Sequence, residues 1–253
     1  MTSINTKSRS RQKAKKHESS AKLSAQSSSK TQPKQKSKNS GRCNQEIALF
    51  GNQRQTIEFA RNKNYIFDAS DPGTGKTRSA LEIWTEREDA GALLVIAPKS
   101  ILEPAWGEDI KKFAPDYKYS VAYATNRQDA FNTKADIYIT NIDAVRWLAK
   151  QPKSFFKRFN MIVVDELSHF KHRTSQRSKA LNKITAHFKY RHGMDGTPIS
   201  TSITDLWNQI KFLDNGRALG RSFIQFRGAV CYPKQVGPET RMVKWLDKPH
   251  SEQ

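Results

Sequence analysis

The chain has 253 residues, 44 of them Lys or Arg and 24 Asp or Glu, so its formal net charge of +20 points to a polyanionic partner, most simply nucleic acid. The longest apolar runs, Ala92–Ala97 and Met161–Val164, fall far short of the roughly 20 residues of a membrane span, and the basic N-terminus has no apolar stretch behind it, which argues against a secretory signal. Two cysteines, Cys43 and Cys231, leave no disulfide framework and fit a reducing compartment such as the cytoplasm.

Residues 1–45 read as a disordered basic tail. Residues 1–42 hold 12 basic side chains against one acid, with no aromatic residue and few aliphatics, and such a stretch cannot bury enough apolar surface to offset the entropy of ordering. Five apolar runs then predict strands: Tyr65–Ser70, Ala92–Pro98, Tyr119–Tyr123, Asp136–Thr140 and Met161–Asp165. Continuous hydrophobicity in the second and the last marks parallel strands covered on both faces. Between the strands, Ser100 caps a helix over Ile101–Phe113, Asn141 caps one over Ile142–Lys150, and Thr174 or Ser175 caps one carrying Ala180, Leu181 and Ile184. Ile203, Leu206, Trp207, Ile210 and Leu213 line one face of a further helix. The alternation predicts an α/β fold of three layers around a parallel central sheet. Residues 46–215 form the folded domain, and residues 216–253, rich in Arg, Lys, Gly and Pro, form an extension with no core of its own. His169 and His172 have no cysteine near them and read as a polar helix start, not as metal ligands.

Ser70-Asp-Pro-Gly-Thr-Gly-Lys-Thr77 follows a strand and precedes a helix, and it nearly matches the P-loop pattern, with Ser70 where the strict form has glycine. Such a loop turns backbone N–H groups toward phosphate oxygens and adds the positive end of a helix dipole, while Lys76 reaches the β and γ phosphates and the Thr77 hydroxyl serves magnesium. A second acidic site is needed, and the strand ending in Asp165-Glu166 supplies it: Asp165 for magnesium, Glu166 for the attacking water.

Taken together these segments resemble the first RecA-like lobe of superfamily-two helicases, and within them the Snf-type translocases, especially the compact versions of bacteriophages. The match is collinear over roughly residues 48–227. The resemblance implies that Gln53 reads adenine, that Asp71, Gly73, Thr74, Gly75, Lys76 and Thr77 bind ATP, and that Pro98-Lys99-Ser100 and Thr140-Asn141 face the nucleic-acid backbone. Gly196-Thr197-Pro198 is similar to the motif that links the ATP site to the lobe interface. Leu167-Ser168 and Asp195 depart from the family's usual residues. The implied activity is that of an ATP-dependent helicase or translocase using ATP and Mg2+, with DNA favoured as partner. In the family a second lobe supplies arginines to the γ phosphate, and the residues after Ile199 are too few to form one, so a separately encoded second lobe is expected. The alternative reading is a truncated module that binds nucleotide and DNA without turnover. A terminase or AAA-type machine is disfavoured, because matches to the family's intermediate motifs lie between Lys76 and Asp165 and Gly196-Thr-Pro198 follows them.

Overall fold

Apolar runs become strands here because parallel pairing buries both of their faces. The computed structural model describes residues 48–89 and 91–249, so the basic tail read at residues 1–45 lies outside the described residues. Six strands, β1 (Tyr65–Asp68), β2 (Ala92–Ala97), β3 (Tyr119–Ala122), β4 (Ile137–Asn141), β5 (Phe159–Asp165) and β6 (Tyr190–Met194), form one parallel sheet. Their order across the sheet is β1-β6-β5-β2-β4-β3.

Successive side chains on a strand point to opposite faces, so each central strand feeds two cores. Leu93, Val95 and Ala97 of β2, with Met161 and Val163 of β5, pack against helices α1 (Gly51–Ala60), α2 (Lys76–Thr85) and α3 (Glu108–Phe113). Leu94 and Ile96, with Ile162 and Val164, serve the other face. There they meet α4 (Arg127–Asn132), α5 (Val145–Leu148), α6 (Lys153–Phe156), α7 (Gln176–Ile184) and α8 (Asp205–Asp214). This is the expected three-layer α/β fold with a parallel central sheet.

The structure departs from the sequence reading in three places, and it adds regular elements within the extension. The expected helix over Ile101–Phe113 is a 3₁₀ turn, a wide π-type turn over Leu102–Gly107 and only then α3; Pro104, inside the stretch, has no N–H to donate to an α-helical ladder. The helix expected over Ile142–Lys150 opens with a 3₁₀ turn and keeps four α-helical residues, Val145–Leu148. Strand β6 had no apolar run to announce it: Arg191, His192 and Gly193 sit in its middle, yet all five residues are buried. The extension holds regular structure, α9 (Phe223–Val230) and an antiparallel hairpin of β7 (Cys231–Gln235) and β8 (Val243–Asp247). Asp247 fastens the hairpin by accepting from Ser202 Oγ at 2.6 Å and from the Ile203 N–H at 3.1 Å. Of the two capping candidates, Ser175 caps α7, accepting from the Ser178 N–H at 3.2 Å. Among the described residues no helix is long and apolar enough to cross a membrane.

Candidate functional site

All five motif segments expected to carry chemistry leave the carboxyl edge of the sheet, where parallel α/β folds place their ligands. Read across the strand order, the edge carries Ser70–Thr77 after β1, Gly196-Thr-Pro198 after β6 and Asp165-Glu166 at β5. Pro98-Lys-Ser100 after β2 and Thr140-Asn141 at β4 continue the row.

The phosphate loop is braced from beneath. Asp68, buried at the end of β1, accepts from the Ser70 N–H at 3.1 Å and the Ser70 hydroxyl at 2.5 Å, and Ser70 Oγ lies 3.1 Å from Thr74 Oγ1. Ser70 therefore cross-links the loop at the position where the strict pattern has glycine. Gly75 caps α2 with a left-handed φ of 79°, and a Cβ there would overlap Gln53 Nε2; glycine meets both demands at once. Gln53 is 2% exposed, accepts from the Phe50 N–H at 2.9 Å and donates to Gly75 O at 3.2 Å. Its amide is thus engaged by backbone, and contact with a base edge requires an exchange of partners. Lys76 Nζ donates to the carbonyl oxygens of Ser70 (2.7 Å) and Asp71 (3.0 Å), across the loop. Asp71, Pro72 and Gly73 are exposed. The Thr77 hydroxyl pairs with Asp109 of α3, a half-buried carboxyl whose pKa burial raises against the opposing pull of Lys112 and of Thr77 itself.

Asp165 is 8% exposed, and its Oδ2 accepts from the indole N–H of the wholly buried Trp106 at 3.0 Å. Burial raises its pKa to about 6; the negative charge of Glu166 adds to the rise, while the Trp106 and Glu166 N–H groups and the Lys76 ammonium oppose it. Glu166 adopts a left-handed backbone, φ 56° and ψ 56°, uncommon outside glycine. In the sequence 59 residues separate Trp106 from its partner.

Asp195, one of the departures from the family's usual residues, is fully buried. Its Oδ2 accepts from the Ser168 N–H at 2.5 Å and its Oδ1 from the Thr197 N–H at 2.8 Å. One carboxylate thus ties the loop after Glu166 to the Gly196-Thr-Pro198 loop. Gly196 lies close against the phosphate loop, where an added Cβ would sit 2.9 Å from Pro72 Cγ. Pro198 O accepts from Gln209 Nε2 of α8 at 2.7 Å. Two of the three departures from the family's residues, Ser168 through its backbone N–H and Asp195 through its carboxylate, therefore meet each other.

At the other half of the edge Lys99 and Ser100 are exposed, and Pro98 and Asn141 partly so. Thr140, expected to face the nucleic-acid backbone, points inward instead. Its side chain is wholly buried and its hydroxyl bonds Ala122 O of β3, so of the pair Thr140-Asn141 only Asn141 presents a side chain at the surface.

A family model described as the SNF2-related domain matches residues 8–235. The ATP-dependent helicase FUN30 of Saccharomyces cerevisiae is 30% identical over 184 residues, which make up 66% of this chain and 16% of FUN30. Putative protein p41 of Acyrthosiphon pisum secondary endosymbiont phage 1 is 27% identical over 168 residues, 61% of this chain and 36% of p41. The chain spans well under half the length of either relative. Among solved structures, the Sulfolobus solfataricus SWI2/SNF2 ATPase core in complex with dsDNA matches with a TM-score of 0.60 at 26% identity, covering 72% of this chain and 39% of that one.

Proposed function

The chain belongs to the SNF2-related domain family, and from that premise we propose that it is the ATP-binding lobe of a translocase that couples ATP hydrolysis to movement along DNA. One observation carries the reading: three neighbouring strand ends, β1, β6 and β5, present the phosphate loop, Gly196-Thr-Pro198 and Asp165-Glu166, while the next two, β2 and β4, present Lys99, Ser100 and Asn141 on the same edge. Nucleotide and nucleic-acid groups thus share one rigid sheet. The double-stranded DNA held by the similar Sulfolobus core supports DNA as the partner.

In this mechanism Lys76 Nζ leaves the carbonyls of Ser70 and Asp71 for the β and γ phosphates, and the N-terminal N–H groups of α2 face the same charge. Gln53 exchanges a backbone partner for the adenine edge. The residues fit a magnesium ion: Asp165 is a buried oxygen donor, and the Thr77 hydroxyl, its proton turned to Asp109, keeps lone pairs to offer. When bound, that ion neutralises phosphate oxygens as charge develops. Glu166 orients a water and takes its proton as the water oxygen bonds to the γ phosphorus and the bond to the ADP oxygen breaks. Asp195 moves the Gly196-Thr-Pro198 loop with the Asp165-Glu166 loop, because both hang from its carboxylate. The remaining charge on the γ phosphate is met by arginine from a second lobe, a contribution on the order of 10³ to 10⁵ in rate.

Fluorescent-nucleotide titration tests the assignment. Lys76→Ala is expected to weaken ATP binding by roughly tens of fold, since it removes the cation the loop aims at the phosphates, while leaving the melting temperature in place; equal affinity in the two proteins removes the reading. ATP that is bound but never turned over, even with DNA and a second lobe added, marks the binding-module alternative.

A further inference from the structure

We infer that the carboxyl end of β3 is a further DNA contact, in which Arg127 binds a backbone phosphate and the Tyr123 ring packs on a deoxyribose of the same strand. The inference rests on the proposed DNA-binding function, and none of the motif segments includes these residues. Three adjacent strands, β2, β4 and β3, end side by side, and their side chains are already linked. Lys99 Nζ lies 5.4 Å from the centroid of the Tyr123 ring, and Arg127 Nη2 donates to Asn141 Oδ1 at 3.2 Å. Lys99 and Asn141 are two of the three side chains that the proposed function sets against DNA from β2 and β4. Tyr123 and Arg127 continue that line by one strand.

Neither Lys99 nor Arg127 forms an ion pair with a carboxylate among the described residues. Two acids lie close in sequence: Asp129 is exposed on α4, and Asp143 pairs with Arg177 at 3.5 Å. A guanidinium has five N–H donors; partly exposed Arg127 spends one Nη2 donor on Asn141, its Nε is buried, and no other hydrogen bond takes its Nη donors among the described residues. An anion with several acceptor oxygens, such as a phosphodiester, suits the remaining donors. Tyr123 is 40% exposed beside it, an aromatic face that a sugar or base can cover.

The backbone holds this geometry at a cost. Ala124 has a left-handed φ of 49°, a conformation of order 1 kcal/mol unfavourable for a residue with a Cβ. Asn126 enforces it, accepting from the Tyr123 N–H at 2.8 Å and donating to Val121 O at 3.2 Å. The turn fixes Tyr123 at the strand end and starts α4 with Arg127.

The test is fluorescence anisotropy of the full chain with labelled DNA at several salt concentrations, in single-strand and duplex arms. Arg127→Gln is expected to lower affinity by about fivefold to tenfold and to reduce the slope of log K against log salt by about 0.9 on duplex or 0.7 on single strand, one phosphate contact's worth. Tyr123→Ala is expected to lower affinity about fivefold with the salt slope unchanged, and Tyr123→Phe to restore it. Lys134→Ala, at the opposite edge of the sheet, removes the same charge and is expected to change neither quantity beyond experimental error. Nucleotide affinity and melting temperature of each variant report on the fold. If Lys99→Ala weakens DNA binding while the Arg127 and Tyr123 variants match the wild type, this inference is overturned and the proposed function stands; if the wild-type chain binds no DNA, both are overturned.

Discussion

In the proposed role Asp165 holds a metal only as a carboxylate, and because burial raises its pKa to about 6, metal and proton would compete for it within reach of neutral pH. Magnesium-dependent nucleotide binding is therefore expected to fade as pH falls through about 6. Trp106→Phe deletes the N–H that favours the ionised form, so it should move that midpoint upward, which titrations in magnesium at stepped pH will read. The same shift bears on stability. A carboxyl whose folded pKa lies above its unfolded 3.8 contributes most when protonated, and the contribution is lost as pH rises from about 4 to about 6. At pH 7 the ionised group is a burden, and Asp165→Asn should raise stability by about 1 to 3 kcal/mol while damaging magnesium dependence. A midpoint that ignores Trp106, or an Asn variant no more stable than the wild type, contradicts this account. None of it was visible in the sequence, which carries Asp165 and Glu166 as an apolar strand's acidic end but contains nothing local to pair Asp165 with an indole 59 residues away.

Strand β6 shows what pattern reading misses at the level of an element. Apolar runs made β2 and β5 legible, because both faces of those strands pack against helices. In β6 the burial is the same but the side chains are polar. Arg191 donates to the terminal carbonyls of α8, 3.4 Å from Phe212 O and 2.8 Å from Leu213 O, and so serves as a helix cap supplied by a strand. His192 is fully buried, and neither ring nitrogen has a partner among the described residues. Burial lowers its pKa to about 4; the negative charge of Asp68 resists and the positive charge of Arg87 assists. The sign is opposite to that of Asp165. An imidazole whose folded pKa is depressed contributes fully above about pH 6.5, and stability is lost as pH falls toward 4 because the unfolded chain takes the proton. Thermal melts of His192→Leu beside the wild type should show the variant more stable at pH 7 by about 1 to 3 kcal/mol, from removal of unsatisfied polar atoms. The gap should widen by up to about 3 kcal/mol on acidification to pH 4. A constant gap across that range would mean that His192 finds a partner or a water in solution. Asp195 was legible only as a departure from the family's usual residue; what the sequence does not show is that its two oxygens bridge two loops, a task one hydroxyl would do less fully.

Along the whole sequence the positive charge is unevenly spread. Residues 1–42 carry a net charge of +11, from 12 basic side chains and one acid. Deleting them is expected to lower DNA affinity and flatten its salt dependence, since as many as 12 counterion-releasing contacts go at once, and an unchanged slope would show that these residues are no DNA arm. The sheet sets a finer limit. Three neighbouring strand ends span two inter-strand spacings, about 10 Å, and one DNA strand advances about 3.4 Å per nucleotide. The edge formed by β2, β4 and β3 thus has a footprint of about three nucleotides. Under the proposed function, a hold that short, shared by a few side chains, would release readily each time the nucleotide is exchanged, and sustained travel along DNA would require a second grip that stays closed while this one lets go.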